Sequence, residues 1–158
     1  MTRLRTLLAV ICALALLGAT LAQAAATPKP PTGPWKLNGA TGGFTLRKGT
    51  GSKRGKIFLS DLHFKTGLYA GCPSKVSTVR VLGRYALKTF TRGGYTTWGV
   101  GRNTGGDVTP RAGKVRVGGK TYNGEFYVVW NYANPRQVFG GSIQFGTCLS
   151  QFTFGTPK

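Results

Sequence analysis

Few residues in this chain have side chains suited to acid–base chemistry. Its 158 residues include 3 acidic side chains and 1 His, against 22 Lys and Arg. Asp61 and His63 stand two apart in a segment typical of a β-strand, so an uninterrupted strand would place them on one face. There a carboxylate could orient the imidazole as a general base. No Gly-x-Ser-x-Gly motif accompanies them, and we therefore favour a surface His beside an Asp that offsets nearby cations.

Glycoside hydrolysis is a second chemistry to consider, since it uses two carboxylates about 5–10 Å apart. The candidates are Asp61, Asp107 and Glu125. Asp107 ends a Gly-rich turn, where Asp is favoured for backbone reasons, and Glu125 follows an Asn-Gly pair. Because each has a structural explanation, we expect no enzyme and keep Asp61, His63 and Glu125 only as the weaker catalytic candidates. One His and no Cys-x-x-Cys also lead us to expect no metal and no cofactor.

Basic side chains are the most unusual feature of the composition, which has a formal net charge of +19. Five of them crowd one Gly-rich turn between two predicted strands, and we call this group the cationic turn: Arg47, Lys48, Lys53, Arg54 and Lys56. A solvated, highly soluble surface is one explanation of such crowding. The explanation we favour is a ligand-binding site, because a strongly basic domain attracts polyanions at moderate salt.

The first 25 residues have the pattern of a cleaved secretory signal. Arg3 and Arg5 form its charged region, and an apolar run covers residues 7–17. Small residues follow at Ala22 and Ala24, or alternatively at Ala24 and Ala26, as a signal-peptidase site requires. The apolar run is shorter than the roughly 20 residues of a membrane-spanning helix. We therefore predict a secreted protein, extracellular or associated with the cell envelope, with no transmembrane segment after cleavage.

Two cysteines remain after the predicted cleavage, Cys72 and Cys148, because Cys12 lies within the signal. An even pair in an oxidising compartment indicates one disulfide. The alternatives are two free thiols or a metal pair, and the single His of the chain argues against the metal pair.

Short strands rather than helices are predicted to position these residues. A Pro-rich leader at 26–34 enters a single domain at 35–158, in which Thr, Val, Phe and Tyr are plentiful and helix formers are scarce. This pattern predicts an antiparallel β-sandwich, or alternatively a β-barrel, with about 8–9 short strands and one disulfide. The predicted strands are 44–48, 56–65, 75–82, 85–91, 95–101, 114–117, 125–132, 138–145 and 149–154.

Alternation within these strands predicts which side chains face the core. Apolar residues two apart should point inward together, as in Val79/Val81, Val115/Val117, Ile143/Phe145, Phe152/Phe154 and the run Phe126, Val128, Trp130 and Tyr132. In the strand at 56–65 the apolar parity shifts midway, which predicts a β-bulge near Ser60 and Asp61. Asn123 and Gly124 tolerate positive φ and predict a type I′ hairpin turn.

Several short motifs of the mature chain resemble those of small secreted all-β proteins of high-GC Gram-positive bacteria. They are Gly33-Pro-Trp35, Gly43-Phe-Thr-Leu46, Gly55-Lys-Ile57, Gly71-Cys72 and Gly146-Thr-Cys148-Leu-Ser150. The resemblance implies a compact disulfide-tied β-sandwich and brings no catalytic residues with it.

Taken together, the residues favour a secreted non-enzymatic protein that binds an anionic polymer or surface. Anionic polysaccharide, teichoic acid and extracellular nucleic acid are the expected partners, and Trp35, Tyr95 and Trp98 could add stacking surfaces for sugars or bases. Each of these aromatics is equally suited to core or rim packing. The alternatives are a small carbohydrate-active enzyme that uses the candidates above, or an inhibitor or toxin-like protein whose loops bind another protein.

Overall fold

The computed structural model describes residues 27–38, 41–65, 72, 78–152 and 154–158. The predicted signal at 1–25, Gly71 and Lys75 lie outside the described residues. Strands cover most of this part of the chain: β1 Gly33–Asn38, β2 Gly42–Lys48, β3 Ile57–Lys65, β4 Thr78–Leu82, β5 Arg84–Ala86, β6 Lys88–Arg92, β7 Tyr95–Val100, β8 Arg102–Thr104, β9 Asp107–Thr109, β10 Arg111–Val117, β11 Lys120–Trp130, β12 Val138–Phe145, β13 Cys148–Phe152 and β14 Phe154–Pro157. A short 3₁₀ turn covers Gly51–Lys53.

The antiparallel all-β class with one disulfide is confirmed. Twelve strands form one sheet, and β8 pairs with β9 in a separate two-stranded sheet. The large sheet closes on itself, because β11 pairs with β12, β12 with both β13 and β14, and β14 with β1. If β13 and β14 are counted as one bent strand, eight strands form a barrel-like ring in the order β1, β2, β3, β4, β10, β11, β12 and β13/β14. Closure of a sheet removes its unpaired edges.

The interior of this ring holds the hydrophobic core. Each strand of the ring contributes alternate apolar side chains, which is the two-residue period of a strand with one buried face. Three large aromatics meet there: Trp35 stacks on Phe44 with ring centroids 5.4 Å apart, and Trp130 meets both rings edge-on. The predicted inward residues are buried where the structure describes their side chains, with one exception. Tyr132 lies beyond the end of β11 and is 57% exposed.

The β-bulge predicted near Ser60 and Asp61 is confirmed. The register between β2 and β3 shifts between Gly43 and Thr45, so one extra residue of β3 stands opposite β2. Asp61 has φ of 55°, and it is the one non-glycine residue with positive φ in the described part of the chain. This extra residue lets both Leu59 and Leu62 face the core, because it resets the two-residue period between them.

The hairpin turn predicted at Asn123 and Gly124 is wrong. Both residues lie inside β11 and pair with Lys114 and Gly113 of β10. The turn lies instead at Gly118 and Gly119, which have φ of 53° and 84°. Two adjacent glycines adopt positive φ without a Cβ penalty, so this pair forms the turn, whereas Asn123 extends the strand.

The two predicted cysteines are joined, and the disulfide is confirmed. Cys72 and Cys148 have Cα atoms 4.3 Å apart and lie 76 residues apart in sequence. Cys148 begins β13 and is buried in the core, so the bridge attaches Cys72 to the C-terminal strands.

The described part of the Pro-rich leader is held against the domain. The indole nitrogen of Trp35 donates to the main-chain oxygen of Pro31 at 3.1 Å, and that of Trp98 donates to Thr27 at 3.4 Å. Pro30 is buried, and β1, which was not among the predicted strands, begins at Gly33 within the predicted leader. Within the residues that the structure describes, no helix is long and apolar enough to cross a membrane.

Candidate functional site

Asp61 and His63 are close together, but the bulge changes the group that the imidazole meets. Nδ1 of His63 donates to the main-chain oxygen of Asp61 at 2.6 Å. Its partner is thus a peptide carbonyl and not the carboxylate that a catalytic pair would use. Asp61 is exposed at the bulge, and its positive φ turns its side chain away from the direction expected of an uninterrupted strand.

The other two candidate carboxylates are each held by a different arginine. Asp107 accepts a hydrogen bond from Arg92, and Glu125 Oε1 lies 3.3 Å from Nη2 of Arg102. The hydrogen bond and negative charge of Asp107 raise the pKa of the Arg92 guanidinium above its ordinary value. Both pairs are exposed, and such pairs contribute little to stability. In the described ranges, no group of three or more His, Cys, Asp or Glu side chains could hold a metal ion.

The cationic turn is presented to solvent as a compact loop at one end of the β2–β3 ribbon. The amide of Gly49 donates to the oxygen of Lys56 at 2.8 Å, and the 3₁₀ turn lies between them. All five cations of the turn are exposed. Lys53 also has a packing role, because its ammonium group lies 5.7 Å from the ring centre of Phe58, an outward-facing aromatic. Such a contact shields the ring from water and contributes a cation–π attraction.

A groove of about 540 Å³ lies beside the cationic turn. Arg47, Lys48 and Arg84 line it, together with Asp61. Arg84 also covers the opposite side of Phe58, with its guanidinium carbon 5.2 Å from the ring centre. Three cations against one carboxylate leave this groove with a positive potential that suits an anionic group.

A second, smaller groove of about 330 Å³ includes Gly55 and Lys56, at the C-terminal end of the cationic turn. Lys29 of the leader, Lys56 and Lys88 line it, and Trp98 forms part of its wall. The Nζ atom of Lys29 donates to the oxygen of Gly55 at 3.4 Å, so the leader contributes one cation to the surroundings of the turn. The turn therefore contributes residues to two cation-lined grooves.

The three aromatics predicted as stacking surfaces have different environments. Trp35 cannot serve, because it is 1% exposed and lies within the aromatic core. Trp98 is partly buried, and its indole nitrogen is occupied by the leader. Tyr95 is 63% exposed and meets the exposed Tyr132 with ring centroids 4.9 Å apart. Of the three, Tyr95 is the most exposed, and Trp98 is accessible only where it lines the smaller groove.

A third cation-lined groove was missed at the sequence level. Lys36, His63 and Lys65 line it with a volume of about 560 Å³, and they come from β1 and β3. Alternation within each strand shows that these side chains face outward. Sequence alone does not reveal which strands are neighbours, so the grouping follows only from the sheet order.

Comparison with protein-family models, with curated proteins and with solved structures finds no match for this chain.

Proposed function

We propose that the chain is a secreted, non-enzymatic protein that binds an anionic polymer through its basic surface, with the cationic turn as one contact site. The observation that carries this proposal is the exposure of all five cations of the turn, which contributes residues to two cation-lined grooves. Among the residues that the structure describes, the ion pairs involve Arg92 and Arg102 and no cation of the turn. The charges of the turn are therefore available to an external anion.

For most cations of the turn, electrostatics favours the binding of an anionic ligand over a purely structural role. Lys53 covers Phe58, but Arg54 and Lys56 have exposed side chains that add like charge to a short loop. Like charges within a Debye length of about 8 Å at physiological salt repel one another, so their crowding does not stabilise the fold. Binding of a polyanion removes this repulsion and releases condensed counterions, which supplies a sequence-independent affinity.

The test compares two variants that each lose one Lys and one Arg. Arg54→Gln/Lys56→Gln removes charge from the turn, and Lys120→Gln/Arg136→Gln removes the same charge from exposed positions elsewhere. Affinity for fluorescein-labelled heparin and poly(glycerol phosphate) is measured by anisotropy at several salt concentrations. We expect the turn variant to lose more affinity than its control. We call the slope of log affinity against log salt concentration the salt slope. With poly(glycerol phosphate), the salt slope of the turn variant should be smaller in magnitude by about 1.4, because each neutralised phosphate of a single-stranded polyanion contributes about 0.7.

Two outcomes would contradict the proposal at different levels. Equal losses in the two variants would show that total charge alone determines affinity and that the turn is no site. Failure of the wild-type protein to bind any polyanion at about 0.15 M salt, where only short-range charge interactions survive screening, would refute the function itself.

A further inference from the structure

A second group of cations forms a line across five neighbouring strands, far from the cationic turn. Lys36 of β1 pairs with Gly43 of β2, and Gly43 pairs with His63 of β3. His63 pairs with Arg80 of β4, and Arg80 pairs with Arg116 of β10. Neighbouring strands lie about 4.8 Å apart, so the four basic side chains follow one another at intervals of one or two strands. We call Lys36, His63, Arg80 and Arg116 the cationic row.

The cationic row faces solvent. Lys36, Arg80 and Arg116 are exposed and His63 is half-exposed, while the residues that alternate with them on β4 and β10 are buried valines. Arg80 and Arg116 stand directly opposite each other, an arrangement of like charges that destabilises a sheet. Within the described ranges, none of the four side chains takes part in an ion pair. The fold therefore gains nothing from this placement of charge.

One end of the cationic row opens into the 560 Å³ groove. Lys36 and His63 line this groove, and Lys65, two residues beyond His63 on the same face of β3, adds a further cation. Gly42 also lines the groove, and a Cβ there would overlap the main-chain oxygen of His63. The groove is thus an open, cation-lined recess at the start of the row.

The cationic row and the cationic turn are separate sites. Both use the β2–β3 ribbon, but Gly43, on the row, and Arg47, in the turn, lie four residues apart on β2. At about 3.4 Å per residue this corresponds to roughly 14 Å along the strand. That distance exceeds the Debye length of about 8 Å at physiological salt, so substitutions at one site should perturb the other only weakly.

The path of the cationic row limits the kind of polymer that can follow it. The row crosses five of the eight strands in the closed ring, so it curves around about half of the barrel-like surface. Duplex DNA has a persistence length of about 50 nm and would touch only part of such a path. A polymer with freely rotating, acyclic linkers between its charges can bend over this distance, whereas a chain of linked sugar rings is stiffer.

The side chains along the path favour phosphate groups without bases. The row positions hold no Trp, Tyr or Phe, and the imidazole of His63 is the one aromatic ring among them, so unstacked bases would find little stacking surface there. Arg80 and Arg116 are cross-strand partners, so both side chains project from the same outward face of the sheet. Guanidinium groups bind phosphate oxygens in a bidentate manner.

We propose that the cationic row binds a poly(alditol phosphate) chain of the teichoic type, which wraps around the ring from the groove at Lys36 to Arg116. This inference rests on the proposed function and specifies its ligand and a second site. Each neutralised phosphate releases counterions, so the row contributes to the salt dependence of binding in proportion to the number of phosphates it neutralises.

The experiment measures binding of labelled poly(glycerol phosphate) by the full secreted protein across a salt series. Lys36→Gln/Arg80→Gln removes one Lys and one Arg from the row, and Lys120→Gln/Arg136→Gln removes the same charge from exposed positions outside the row. We expect the row variant to reduce the salt slope by about 1.4 and the control to leave it unchanged. Lys36→Arg/Arg80→Lys keeps both charges and should keep the salt slope of the wild type even though the bidentate contact of Arg80 is lost, which distinguishes the removal of charge from a failure to fold.

The same measurement with other probes tests the ligand class. Duplex DNA, poly(dT) and heparin of similar charge should bind more weakly than poly(glycerol phosphate), and their affinities should respond less to the row variant. Equal losses in the row variant and its control would overturn the row as a site while leaving the proposed function intact if the turn variant still loses affinity. Tighter binding of poly(dT) or heparin at the row would overturn the ligand assignment. Absence of binding to all four probes would overturn the proposed function and this inference together.

Discussion

Replacing both Cys72 and Cys148 by Ala should remove a large part of the stability of this domain. The bridge joins residues 76 apart and so closes a long loop in the unfolded chain. In the chain-entropy treatment a loop of this length corresponds to about 4.5 kcal/mol of stability at 25 °C. Domains of ordinary stability unfold with about 5–15 kcal/mol, so the loss would amount to a substantial share of the total.

Urea unfolding followed by Trp fluorescence measures this loss directly, because Trp35 and Trp130 are each 1% exposed and become solvated on unfolding. With a slope of about 2 kcal/mol per molar urea, a loss of about 4.5 kcal/mol lowers the midpoint by about 2 M. Ala is preferred to Ser as the replacement because Cys148 is buried, and a serine hydroxyl there would need a hydrogen-bond partner.

The control is the wild-type protein with and without a thiol reductant. Reduction should reproduce the loss seen in the Cys72→Ala/Cys148→Ala variant, and the same reductant should leave that variant unchanged. A loss below about 1.5 kcal/mol in both comparisons would refute the reasoning, because it would mean that the bridge does not constrain the unfolded chain.

Individual residues carry three further predictions. Asp61→Gly should raise the free energy of unfolding, because φ of 55° suits Gly, and Asp61→Val should lower it by about 1 kcal/mol or more, because this φ disfavours a β-branched residue. Urea denaturation measures both changes, and equal stabilities of the two variants would contradict this reasoning. Burial raises the pKa of the Tyr85 phenol, which donates a hydrogen bond to the main-chain oxygen of Leu82. The phenol therefore contributes its full stabilisation below its pKa in the unfolded chain, and this contribution is lost as the pH rises through its higher pKa in the folded protein. Melting temperatures across the alkaline range should therefore fall less in Tyr85→Phe than in the wild type, and parallel curves would be the contrary result. Arg80→Gln should raise the melting temperature slightly while it weakens polyanion binding, because it relieves the like-charge pair with Arg116; a lower melting temperature would indicate that the pair stabilises the sheet.

Much of the local structure could be predicted from single strands. The two-residue alternation identified the inward valines of β4 and β10, and the shift in parity within β3 located the bulge at Asp61. The disulfide followed from the count of cysteines, since two remain after the predicted signal. These features depend on residues that are near in sequence or few in number, which is why a single sequence reveals them.

The predictions that failed depend on competition between local signals. Asn123-Gly124 and Gly118-Gly119 are both suitable for a tight turn, and the second pair forms it because the register of β10 with β11 then buries Val115 and Val117. The pair of β8 with β9 was also missed, because strands of three residues have too little alternation to be recognised, and β5 and β6 were predicted as the single strand 85–91.

The cationic row could not be predicted, because its residues become neighbours only through the order of the strands in the sheet. Arg80 and Arg116 are 36 positions apart in the sequence, and nothing near either residue indicates that they are neighbours. Their proximity follows from the pairing of β4 with β10, which passes over β5–β9 in the chain. A site of this kind is set by long-range topology, whereas the cationic turn lies within one continuous segment.

The closure of the ring also determines when the protein can finish folding. β1 lies between β2 and β14, so the first strand of the domain remains unpaired on one side until the last strand is present. Chains grow from their N-terminus, and contacts between distant segments form slowly because of the entropy of closing long loops. A nascent chain therefore cannot complete this fold before Phe154–Pro157 has been synthesised. Until then the edges of β1 and β12 are open to pairing with other chains, so early release or C-terminal truncation should favour aggregation.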